Sequence, residues 1–217
     1  MYHSNECLDR AELGSVQSER LRSIVNYVYE NVPFYRDRFD AAGVSPTDID
    51  GIADISSLPM TTKEDFEDEY PDGLFAVDDD EVSRFHASSG TTGKPKIVSY
   101  VDADLELWGK TMARSLSAAG VEPDDTVQNA YGYGLFTGGM GFHEGAEELG
   151  ATVVPTSSGG TQRQVELAAD LGTDVLACTP SYALYLAETA EEMEQMEPMQ
   201  GMTDPAEVGR AAAFLGS

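Results

Sequence analysis

The segment Phe85-His86-Ala87-Ser88-Ser89-Gly90-Thr91-Thr92-Gly93-Lys94-Pro95-Lys96 gathers four hydroxyls, two glycines and two ammonium groups between two strand-like runs. That combination suits phosphate: glycine lets the backbone turn its N–H groups toward an anion, and the hydroxyls and ammonium groups add donors. An ordinary Gly/Ser/Thr hairpin turn is the competing reading. Against it, the chain has four lysines and 39 acidic residues, yet two of those lysines fall here. Pro95 stiffens the exit. The loop does not follow the Walker pattern G-x-x-x-x-G-K-[ST], because only Thr91-Thr92 separate the glycines and Pro95 follows Lys94. Nor does it match the G-x-G-x-x-G of dinucleotide folds.

A second chemistry-bearing run is Ala130-Tyr131-Gly132-Tyr133-Gly134-Leu135-Phe136-Thr137-Gly138-Gly139. Aromatic residues alone read as core, but flat rings interleaved with glycines make a slot for a flat ligand more readily than a packed interior. A Gly-rich turn, Ser157-Ser158-Gly159-Gly160-Thr161, follows. His143 lies close behind the slot on a predicted helix and is a candidate for substrate contact or catalysis; packing or solvation is the plainer reading, as it is for His3 and His86. No His/Cys/Asp group has metal-ligand spacing, so no metal site is expected from spacing. No Ser-His-Asp arrangement is defined by spacing either.

The elements that must position these residues are legible in the pattern. Val16, Leu21, Ile24, Val25 and Val28 recur at helical spacing up to Pro33. Thr61-x-x-Glu64 reads as a capping box for a short acidic helix ending before Pro71. Strand-like arms at 82–87 and 97–100 flank the phosphate loop, and Asp102 opens a helix closed by Gly120. Strands at 126–130, 151–154 and 175–178 then alternate with helices at 139–149 and 162–171, which end at Gly150 and Gly172. Helices ending in glycine and followed by β-branched runs form a βαβ series, so an α/β fold with a covered, mainly parallel sheet is expected. In such sheets ligands bind beyond the carboxyl ends of the strands, where the 131–138 and 155–161 loops emerge.

Ser88-Ser89-Gly90-Thr91-Thr92-Gly93-x-Pro95-Lys96 resembles, residue for residue, the signature loop of the adenylate-forming superfamily. The 130–139 run, Thr179-Pro180-Ser181-Tyr182 and Ser157 to Thr161 are similar to segments of phenylacetate-CoA ligases, as are Val32-Pro33-Phe34-Tyr35-Arg36 and Leu58-Pro59-Met60-Thr61-Thr62-Lys63. The resemblance runs over roughly residues 15–190.

It implies the large α/β domain of those enzymes, incomplete here and preceded by a helical segment: 1–80 helical, 81–190 a partial AMP-binding subdomain, and 191–217 an acidic, Met-rich tail without family likeness. By the same resemblance, Ser88, Ser89, Gly90, Thr91, Thr92, Gly93 and Lys96 would hold the ATP phosphates, with Lys94 at a variable position. Tyr131, Phe136 and Gly138 would line the aryl pocket. The implied reaction is AMP-forming activation of phenylacetate or a related aryl acid, then transfer to coenzyme A, as in phenylacetate catabolism. ATP and coenzyme A would be bound, with Mg²⁺ expected from the family and no ligands for it identifiable. The family's later Gly-Ala-Glu element, ribose-binding segments and catalytic carboxy-terminal lysine have no counterpart, so no catalytic residue is expected in this chain. It reads as a truncated amino-terminal half. A non-catalytic nucleotide- or acid-binding fragment, and one half of a split ligase, are the alternatives. A homodimer or a missing carboxy-terminal half would be the protein partner.

Composition sets further bounds. The formal net charge is −26, with 39 acidic and 13 basic residues spread along the chain. Such a surface repels nucleic acid and anionic membranes. An acidic, lysine-poor but well-patterned chain fits the molar salt of an extreme halophile, where ionic strength screens self-repulsion. Cys7 and Cys178 give no disulfide framework. The first ten residues are polar, unlike a signal peptide, and no apolar run approaches the ~20 residues of a membrane span. A soluble, cytoplasmic protein is expected.

Overall fold

The computed structural model describes residues 4–88 and 94–196. Ser89, Gly90, Thr91, Thr92 and Gly93 of the expected phosphate loop, and the tail beyond 196, therefore lie outside the described residues. The chain divides into two compact units, Met1–Asp102 and Ala103–Ser217.

In the first unit, α1 (Arg10–Asn31) starts at a reciprocal capping box: Asp9 accepts from the Ala11 and Glu12 N–H groups, and Glu12 accepts from the Asp9 N–H. It ends where Val32 turns extended, and Pro33, whose missing N–H costs nothing in a first turn, opens α2 (Pro33–Ala42). Leu21, Val25, Phe39 and Ile49 form the core between them, with Val28, Tyr29, Tyr35, Val44 and Leu58 packed around. Ile24, expected on the apolar stripe, is instead exposed. Leu21, Val25 and Val28 already fill the narrow face that α1 offers this small core.

The short helix α3 (Lys63–Asp68) begins one residue later than the sequence pattern suggests: Thr62, not Thr61, is the cap, and Asp65, not Glu64, is its partner. Both pairs fit the spacing. Asp65 prevails because, while capping, it is buried and ion-pairs with Arg38 of α2. The strands β1 (Arg84–Ala87) and β2 (Ile97–Tyr100) form an antiparallel hairpin with Arg84 opposite Tyr100 and Ala87 opposite Ile97.

In the second unit, α4 (Asp102–Ala118), β3 (Thr126–Asn129), α5 (Gly138–Leu149), β4 (Thr152–Val154), α6 (Thr161–Leu171) and β5 (Val175–Ala177) realise the βαβ series. The three strands are parallel in the order β4-β3-β5, with β3 central. The helices α5 and α6 are capped by left-handed Gly150 and Gly172. One apolar cluster joins Leu116, Val121, Val127, Ala146, Ala151 and Ala177; another joins Ala130, Val165, Leu176, Cys178, Leu186 and Ala190. The second cluster needs α7 (Pro180–Met196), a helix absent from the series expected from the sequence.

Candidate functional site

In the first unit the hairpin pairing continues into the mouth of the Gly-rich loop. Ser88 N–H donates to the Lys96 carbonyl at 3.1 Å, and Lys96 N–H donates to Ser88 Oγ at 3.0 Å. Ser88 thus clamps the loop, its hydroxyl proton remaining to donate elsewhere. The two lysine head groups rest on aromatic faces: Lys94 Nζ lies 4.6 Å from the Tyr70 ring centre and Lys96 Nζ 5.3 Å from that of Phe66. Both lie within cation–π range, an attraction of about 0.5–1 kcal/mol where exposed. His86 is buried, edge-on to Tyr100 at 5.5 Å.

In the second unit a cavity of about 490 Å³ opens at the carboxyl ends of the parallel strands, within the roughly 300–1,000 Å³ range of small-ligand pockets. Ala130, Tyr131 and Gly132 reach it from β3, Ser158 and Gly159 from the turn after β4, and Thr179, Ser181, Tyr182 and Tyr185 from the start of α7. Tyr131 stacks on Phe142 of α5 with ring centres 5.0 Å apart and planes within 6°. Phe136 and Gly138 stand beside Tyr131 and outside the cavity lining: a Cβ added to Gly138 would lie 3.5 Å from the Phe136 ring and 3.9 Å from that of Tyr131. Phe136 is 63% exposed. Tyr185, on α7, joins this wall without any signal in the sequence beyond its distance from Tyr182.

Two buried amides hold the turn after β4. Gln164 Nε2 donates to the carbonyls of Ser157 (2.9 Å) and Gly159 (2.7 Å), while its Oε1 accepts from Thr156 Oγ1 (3.1 Å). Gln128 Nε2 donates to the Gln164 carbonyl at 3.1 Å. Ser157 N–H donates to the Asn129 carbonyl at 3.1 Å, and the single Thr156 hydroxyl proton is shared between that carbonyl and Gln164 Oε1, each 3.1 Å away, tying this turn to β3. The network keeps Ser157 at φ 61°, a left-handed conformation that costs a non-glycine residue about 1–2 kcal/mol.

A further chain of hydrogen bonds leaves the end of β3. Asn129 Nδ2 reaches the Gly139 carbonyl (2.7 Å) and Tyr133 Oη (2.8 Å); Tyr133 Oη meets His143 Nδ1 (3.1 Å), and His143 Nε2 meets Glu147 Oε1 (3.0 Å). Burial holds the Tyr133 phenol above its ordinary pKa, against a lowering contribution from Asn129, so it stays a proton donor. Burial also raises Tyr131, and it pushes the Cys178 thiol up to about 11. Neither cysteine is in a disulfide.

Among the described residues no group of three or more His, Cys, Asp or Glu could hold a metal ion, so none is assigned to magnesium. No described helix is long and apolar enough to cross a membrane.

No family model matches the chain. A phenylacetate-coenzyme A ligase of Thermus thermophilus is 56% identical over 183 residues, 84% of this chain and 41% of that protein. One of Escherichia coli is 52% identical over 180 residues, 83% of this chain and 41% of the relative. The chain thus spans about two fifths of the length of these curated relatives. Among solved structures, a 2-hydroxyisobutyryl-CoA ligase in complex with 2-HIB-AMP and CoA is similar with a TM-score of 0.81 and 30% identity, over 86% of this chain and 41% of that one. With more than half of its aligned residues identical over 83–84% of its own length, the chain is a homologue of phenylacetate-coenzyme A ligases over about two fifths of their length.

Proposed function

We propose that this chain supplies the ATP-phosphate and acid-binding parts of a ligase that joins phenylacetate, or a related aryl acid, to coenzyme A. In that reaction the carboxylate oxygen attacks the α-phosphorus of ATP, the bond to pyrophosphate breaks, and the coenzyme A thiol then displaces AMP from the acyl carbon. No protein nucleophile is needed; the demand is for donors aimed at phosphate charge. Ser88, Ser89, Gly90, Thr91, Thr92, Gly93 and Lys96 are suited to that role. Tyr131 presents a flat wall to an aryl ring, with Phe136 and Gly138 beside it. The observation that carries the reading is the aromatic-walled cavity at the strand ends, in a chain 56% identical to a phenylacetate-coenzyme A ligase.

Mg²⁺ would accompany the ATP phosphates, with no residue here assigned to it. The same reading places the protein in the cytoplasm of a halophile, in phenylacetate catabolism, as a homodimer or joined to further ligase segments. Because the chain spans 41% of its relatives, a second reading has support: on their own these 217 residues bind ligands without turnover. Purified chain supplied with ATP, phenylacetate and coenzyme A separates the two. AMP and phenylacetyl-CoA would establish a complete ligase; phenylacetate uptake without product would establish a binding portion. Failure to take up phenylacetate at all would sink the proposal.

A further inference from the structure

Asn129 is fully buried at the end of β3, and its partners dictate its orientation. The Tyr131 N–H can only donate, so the amide atom 3.2 Å from it is the carbonyl oxygen Oδ1. The Gly139 carbonyl can only accept, so the atom 2.7 Å away is Nδ2. The other Nδ2 hydrogen goes to Tyr133 Oη. Tyr133 therefore accepts from Asn129, which leaves its own proton available to His143 Nδ1, 3.1 Å away. With Nδ1 accepting, the ring proton belongs on Nε2, which faces the Glu147 carboxylate. With that tautomer, donation runs in one direction, from Asn129 through Tyr133 and His143 to Glu147.

We infer that His143 is a positioning residue, neutral with its proton on Nε2, which fixes Asn129 through Tyr133 and so sets the Tyr131 wall of the cavity. His143 does not line the cavity, and both its ring nitrogens already have protein partners. It is therefore placed to act on substrate only through that wall. The consequence for aryl-acid selectivity rests on the pocket reading above; the positioning role rests on the hydrogen bonds alone.

The test uses the whole chain labelled with ¹⁵N-histidine, the His143 signals being assigned by their loss in His143→Asn. The expected spectrum shows a protonated Nε2 and an imine-type Nδ1. Amide exchange at Tyr131 should quicken about tenfold in His143→Ala, the effect of losing a hydrogen bond worth ~1.4 kcal/mol. Tyr133→Phe should do the same, and the double variant little more, because both break one chain. His143→Asn, which returns an acceptor near the Nδ1 position, should recover most of the protection. A proton on Nδ1, or equal Tyr131 exchange in wild type and His143→Ala, would overturn the inference. Phenylacetate affinity should follow the same order. If wild type ignores phenylacetate while the tautomer and exchange series hold, the pocket reading fails and the positioning role stands.

Discussion

A Cβ added at Gly139 would lie 2.5 Å from the carbonyl oxygen of Gly132, so the first turn of α5 and the loop leaving β3 touch backbone to backbone. The glycine-aromatic alternation of 131–139 therefore has two causes: flat rings for a wall, and glycine where the chain folds against itself. Gly139→Ala should destabilise the second unit by about 1–3 kcal/mol, the range for overpacking a tight site. Gly134, where an added Cβ would meet nothing within 4 Å, is the control. Urea unfolding of both variants checks this; equal midpoints would show that the loop yields freely.

Gln164→Leu should cost about 1–3 kcal/mol, because it strands the Ser157 and Gly159 carbonyls without their donor. It should also release the left-handed Ser157 and widen the cavity wall. Thermal unfolding measures the first effect and phenylacetate affinity the second.

Much of the α/β unit was legible because its signals are local. Gly120, Gly150 and Gly172 all take positive φ, and β-branched runs follow them. The frame of the α3 cap was not legible, since Thr61/Glu64 and Thr62/Asp65 satisfy one spacing and only Arg38, distant in sequence, chooses between them. Gln128 and Gln164 gave no warning either. A buried glutamine looks like a surface one until the carbonyls it serves are placed. Of the candidate residues, Tyr131, Phe136 and Gly138 come together locally. His143 joins them through Tyr133, a partnership that helical position alone could not reveal.

Asp65 predicts an acid limit for the first unit. The Thr62 N–H, opposed by desolvation and aided by the Thr62 hydroxyl and Arg38, holds its carboxyl below the ordinary 3.8. A depressed folded value means that this contribution is complete above 3.8 and is lost as pH falls through the folded value. The gap in urea midpoint between wild type and Asp65→Asn should therefore be widest near neutrality and close only in that acid range. A gap independent of pH would show that the carboxylate charge contributes nothing.

The net charge of −26 predicts salt-dependent folding, with native circular dichroism in molar KCl and loss of structure in dilute buffer. A flat response across the salt series would remove the halophile reading.

Pyrophosphate calorimetry on wild type, Lys96→Ala, Lys94→Ala and Phe136→Ala, in molar KCl, shows whether the 88–96 loop is a phosphate site. Ser88 and Lys96 are hydrogen-bonded across the start of the loop, and Lys96 Nζ lies 5.3 Å from the Phe66 ring centre. Weak but measurable binding is expected, reduced by roughly 1.5–3 kcal/mol in Lys96→Ala, the worth of a hydrogen bond to a charged group. Lys94→Ala should lose less, and Phe136→Ala nothing. No binding by the wild type, or equal losses in all three variants, would contradict a phosphate site in this loop.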